Sequence, residues 1–97
     1  MVLRDAHVLI TGGSSGIGAA TARHVSRLGA HPVLVARRQE ALEAVATEIA
    51  DAGGHARSYS ADVADPGAAT AVCQRIRADI GVPEMVVNAA GAGRRMP

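Results

Sequence analysis

The run His7-Val8-Leu9-Ile10-Thr11 passes through Gly12-Gly13-Ser14-Ser15 into a stretch that opens Gly16-Ile17-Gly18 and continues with helical spacing. A short β-branched run reads as a strand, and glycines without Cβ atoms let the chain reverse sharply into a helix. A strand that turns straight into a helix lying back along it is the opening of a parallel β-α-β unit, because antiparallel neighbours need only a hairpin.

The same alternation continues to the end. The first helix is expected over Gly16 to Leu28, burying Ile17, Ala20, Val25 and Leu28, with Gly29 beyond its C-terminus. Pro32 opens a second strand, Val33 to Ala36. Leu42, Val45, Ala46 and Ile49 follow at i, i+3, i+4, i+7 spacing, and Gly53-Gly54 ends that helix. Arg57-Ser58-Tyr59-Ser60 reads as a polar third strand. Asp65-Pro66 opens a third helix, since Asp can cap it and Pro at the first position loses no needed hydrogen bond. Its stripe is Ala69, Val72, Ile76 and Ile80, closed by Gly81, and Met85-Val86-Val87 forms a fourth strand. The order β-α-β-α-β-α-β predicts an α/β fold of the Rossmann type: a doubly wound parallel sheet in the order 3-2-1-4, with right-handed crossovers. The polar third strand suits one edge. The fourth would be the other edge, yet it reads as fully buried, with no charge or proline to blunt it. The expectation is therefore a partial domain over residues 1–97, cut off after its fourth strand.

Composition narrows the function classes. With 97 residues, 48% of them apolar, the chain supports one modest core. A net charge of +1 lacks the basic excess of a nucleic-acid module. No apolar stretch approaches the ~20 residues that span a bilayer, and Asp5 and His7 interrupt any signal peptide. Cys73 has no partner for an internal disulfide, so the cytosol is the default compartment; the residue is expected as small core filling. His7, His24, His31 and His55 are scattered along the chain without ligand spacing, so no metal is expected. All ten basic residues are Arg, which excludes a lysine phosphate loop and Schiff-base chemistry.

The chemistry lies at the strand ends. A glycine-rich turn into a helix N-terminus attracts a pyrophosphate through free N–H groups and the helix dipole, and Ser14 and Ser15 add hydroxyls. The spacing across Gly12, Gly16 and Gly18 is G-x-x-x-G-x-G. With Thr11 before it and Ile17 within it, this resembles the short-chain dehydrogenase/reductase family, whose loop reads T-G-x-x-x-G-I-G. The resemblance runs from about His7 to Gly91. It includes Asp62-Val63 and the family's Asn-Asn-Ala-Gly tetrad, here Asn88-Ala89-Ala90-Gly91, with Ala89 departing from the pattern.

At the end of the second strand, NAD sites place an acid for the ribose 2′-hydroxyl. This chain has Ala36 followed by Arg37 and Arg38, and guanidinium groups match a 2′-phosphate. At ~5 Å and an effective dielectric of ~20 each charge pair is worth roughly 3 kcal/mol before screening. NADP(H) is thus expected over NAD(H), and the missing acid argues against a methyltransferase.

The resemblance further implies that Asp62 accepts from the adenine amino group, that the Val63 backbone lines the adenine pocket, and that Asn88 to Gly91 border the nicotinamide-side ribose. It implies hydride transfer between nicotinamide and a small-molecule carbonyl/alcohol pair, and a homo-oligomeric complete enzyme. The family's Tyr with a Lys four residues later, its Ser and its later Asn cannot be assigned here, because Lys is absent and Tyr59 belongs to the third strand. No catalytic residue is expected in this chain, which alone should be inactive. The alternative reading is a non-catalytic nucleotide-binding or interaction module.

Overall fold

The computed structural model describes residues 3–89. Four strands, β1 (His7–Thr11), β2 (His31–Ala36), β3 (Arg57–Ser60) and β4 (Met85–Asn88), alternate with helices α1 (Gly16–Arg27), α2 (Gln39–Asp51) and α3 (Pro66–Ile80). The sheet is parallel throughout, in the order β3-β2-β1-β4. Register pairs Thr11 with Val35 on one side and Asn88 on the other, and Ala36 with Ser60. These pairings bring the strand exits to one end of the sheet.

Alternation along β2 builds two cores from one run. Leu34 packs with Val8, Ile10, Ala22, Val25, Leu42 and Ile49 beneath α1 and α2. Its neighbours Val33 and Val35 point the other way, onto Tyr59, Val72 and Ile76 beneath α3. Helix ends follow the sequence signals. Asp65 accepts from the Gly67 N–H ahead of α3. Gly29, Gly53 and Gly81 take positive φ of 92°, 92° and 85° just past the three helices.

Three expectations change. The buried face of α1 is Gly18, Ala19, Ala22 and Val25, whereas Ala20 is exposed and Ile17 and Leu28 are 57% and 51% exposed. The helix is turned by about one residue, ~100°, from the orientation its large apolar side chains imply. Small residues win because the glycine loop must pass close beneath the first turn: a Cβ on Gly18 would collide with the Gly12 carbonyl oxygen. β4 is not buried on both faces, since Val86 is 61% exposed. Among the described residues it borders only β1, and none of its side chains joins the core beneath α3. Cys73 is exposed rather than core, because α3 buries only Val72 and Ile76.

Candidate functional site

The exits of all four strands open into one cleft of about 600 Å³ whose wall includes Gly12, Ser14, Ser15, Arg37, Arg38, Asp62, Val63 and Asn88. The glycine loop is held rigidly. Gly12, at φ 77°, and Gly13 both donate backbone N–H to the Val35 carbonyl, at 2.7 and 3.2 Å. A Cβ on Gly13 would lie 2.9 Å from that of Leu34, so the loop can sit on β2 only without one. Ser15 caps α1. Its hydroxyl accepts from Gly18 N–H at 3.1 Å and donates to the Gly12 carbonyl at 2.8 Å. The Ser15 hydroxyl proton is thus engaged within the loop, and Ser14 and Ser15 both line the cleft.

What the loop leaves free is equally informative. The backbone N–H groups of Ser14, Gly16 and Ile17 have no acceptor among the described residues. A Cβ built on Gly16 would meet nothing within 4 Å. The protein's own packing therefore does not require glycine at residue 16. An open concavity over unpaired N–H groups at a helix N-terminus is a seat for an anion.

The exit of β2 carries the cations. Arg37 and Arg38 are exposed, and neither has a carboxylate partner within 4.0 Å among the described residues. Arg38 stands at the N-cap of α2 and makes no side-chain cap, so that helix start is also unfilled. Across the cleft, the Asp62 carboxylate accepts from the Ala64 N–H at 3.0 Å, which shapes the turn after β3, and it remains exposed. Val63 is exposed beside it. On the far side, Thr11 donates its hydroxyl to Asn88 Oδ1 at 2.9 Å, and Ala89 donates its N–H to the Thr11 carbonyl at 2.9 Å. These bonds tie β4 to the strand that feeds the glycine loop. Ala89 is buried, and Ala90 and Gly91 lie outside the described residues.

A profile of the family described as short chain dehydrogenase matches residues 6–97. The chain belongs to the short-chain dehydrogenase family. It is 41% identical over 87 residues to a fatty acyl-CoA reductase of Acinetobacter baylyi, covering 90% of this chain and 30% of that protein. L-sorbose reductase of Gluconobacter frateurii, solved with NADPH and L-sorbose, superposes with a TM-score of 0.87 at 35% identity, over 100% of this chain and 38% of that one. An NAD+-bound xylitol dehydrogenase superposes with a TM-score of 0.83 at 28% identity, over 89% of this chain and 33% of that one. The chain thus spans about a third of the length of these short-chain dehydrogenase relatives. Members of the family bind NADP or NAD.

Other features of this short-chain dehydrogenase chain lie away from the cleft. The Tyr59 hydroxyl donates to Asp79 Oδ2 at 2.6 Å under the Arg75 guanidinium, so it is spent between β3 and α3. Of the histidines scattered along the chain, three come together in space. They line up across the amino ends of the strands, with ring centroids 5.5 Å apart from His7 to His31 and from His31 to His55. Asp5 sits 3.2 Å from His31, and Glu84 3.9 Å from His7. Parallel register made this row, and only the His7–His31 pairing could have been read from aligned strand starts. It runs in a line rather than converging, and no metal-holding group of three ligands occurs among the described residues. No helix of the described residues is long and apolar enough to cross a membrane.

Proposed function

We propose that this chain is the cofactor-binding half of an NADP(H)-dependent short-chain oxidoreductase of the cytosol, acting on a small-molecule carbonyl/alcohol pair. One observation carries the reading. A single cleft runs from Ser14, whose backbone N–H has no acceptor among the described residues, to Arg37 and Arg38 at the exit of β2. Ser14 adjoins the open start of α1 at Gly16, and the two arginines have no carboxylate partner among those residues. The first end suits a pyrophosphate and the second a 2′-phosphate.

In this reading the Ser14, Gly16 and Ile17 backbone binds the pyrophosphate, and Ser15 and Gly18 hold the loop in shape. Arg37 and Arg38 bind the 2′-phosphate, Asp62 and Val63 border the adenine, and Asn88, Ala89, Ala90 and Gly91 border the nicotinamide-side ribose. Bound nicotinamide supplies or accepts the hydride. The chain contributes binding and orientation, and the proton donor comes from the other half of the enzyme, which also brings the substrate loops and the homo-oligomer contacts.

The second reading, a nucleotide-binding or interaction module without chemistry, draws support from the commitment of Tyr59 to Asp79. Calorimetric titration with NADP+ and NAD+ at low and high salt tests the reading. Tighter NADP+ binding, with a preference that shrinks as salt rises, is expected because the arginines are exposed. Equal affinities would overturn the NADP assignment.

A further inference from the structure

The exit of β2 is pinned one carbonyl at a time. Val35 O accepts from Gly12 and Gly13 N–H, Ala36 O accepts from Ala61 N–H at 2.9 Å, and Arg37 O accepts from the Ser60 hydroxyl at 2.9 Å. The next carbonyl, Arg38 O, already belongs to α2 through the Leu42 N–H at 3.1 Å. Of these successive bonds only the one to Arg37 comes from a side chain. No backbone N–H of β3 supplies it: the β2–β3 pairing ends at Ala36 with Ser60, and the next N–H, that of Ala61, is taken by the Ala36 carbonyl.

We infer that Ser60 is a specificity-determining positioning residue: its hydroxyl holds the Arg37 carbonyl and thereby aims the Arg37-Arg38 pair at the cleft. The inference rests on the proposed binding of a 2′-phosphate by these arginines. Ser60 itself need not touch the cofactor. Arg37 and Arg38 form no ion pair among the described residues that would otherwise fix their direction. Their aim is therefore set by the backbone they leave from, and a free Arg37 carbonyl would let that peptide rotate between the end of β2 and the start of α2. Freed arginines would sample solvent and lose the ordering advantage of a pre-set site.

The test titrates NADP+ and NAD+ against the parent chain, Ser60→Ala, Ser60→Thr and Ser60→Ala in an Arg37→Ala background, with melting curves for each. Ser60→Ala should weaken NADP+ about 3- to 10-fold, the span of one hydrogen bond, and leave NAD+ within about twofold. Ser60→Thr, which keeps the hydroxyl, should restore the parent ratio. In the Arg37→Ala background the Ser60→Ala effect on the ratio should vanish. Equal weakening of both nucleotides by Ser60→Ala, tracking a fall in melting temperature, would make Ser60 structural only and overturn the inference. An unchanged ratio in a parent chain that does prefer NADP+ overturns it while sparing the arginine reading. A parent chain without NADP+ preference overturns both.

Discussion

Gly16 and Gly18 stand two residues apart in one loop, and the space around them assigns them different jobs. A Cβ at Gly18 runs into the Gly12 carbonyl, whereas one at Gly16 meets nothing. Gly18→Ala should therefore destabilise the fold by about 1–3 kcal/mol, as overpacking does, read as a lower denaturant midpoint. Gly16→Ala should leave that midpoint unchanged or slightly raised and instead reduce nucleotide affinity. A midpoint that falls equally in both would show that the Gly16 space serves the fold. Arg37→Ala should cost about 1.5–3 kcal/mol of NADP(H) binding, the range for hydrogen bonds to charged groups, with NAD(H) almost unaffected. Equal losses would mean that Arg37 acts through folding. Tyr59 offers a readout of its own, because it is the only tyrosine and there is no tryptophan. At 4% exposure, burial raises its phenol pKa, and the hydrogen bond to Asp79 raises it further. A folded pKa above the unfolded one means that the contribution is whole below about pH 10 and is lost as pH climbs through the folded value. Tyrosinate absorbance should rise at higher pH in native than in denatured protein; coincident curves would contradict the buried hydrogen bond.

At the scale of elements, β4 is the exposed side of the design. Its start is well tied. The Glu84 carboxylate accepts from the His7 backbone N–H at 2.7 Å, which holds its pKa below the ordinary range, and Glu84 N–H reaches the His7 carbonyl at 3.0 Å. Its outer edge pairs with no strand among the described residues, and it carries no charged residue along Met85–Asn88. Unpaired backbone groups beside apolar side chains recruit another strand. The isolated chain should accordingly self-associate as concentration rises, and Val86→Lys, at a largely exposed position, should suppress this without lowering the melting temperature. Sedimentation that shows the parent chain monomeric at all concentrations would refute the edge argument.

The molecule as a whole sets a cleft at the strand exits, where we propose that a nucleotide binds, beside a sheet face that one helix covers in part. The isolated chain should not oxidise NADPH with any carbonyl substrate, since a positioned acid–base group contributes about 10²–10⁴ in rate. Substrate-dependent loss of NADPH absorbance that survives repurification would overturn this. Much of the architecture was legible in the sequence because it is local. Strand and helix order, the caps at Asp65 and Gly29 and the glycine loop follow from short-range periodicity and turn chemistry, and the 3-2-1-4 order was expected only through the general rule for doubly wound sheets. What the sequence could not determine was orientation and company. The apolar pattern of α1 pointed to Ile17 and Leu28, but the tight passage of the loop under Gly18 turned the helix to its small residues. Cys73 lies beside a buried stripe in sequence, yet its exposure depended on how far α3 reaches over the sheet. Likewise, only strand register could place His7, His31 and His55 in one row, and only the β2–β3 exit could bring the Ser60 hydroxyl to the Arg37 carbonyl. Hydrogen bonds and clashes between residues distant in the chain arise when elements dock, so periodicity carries no record of them.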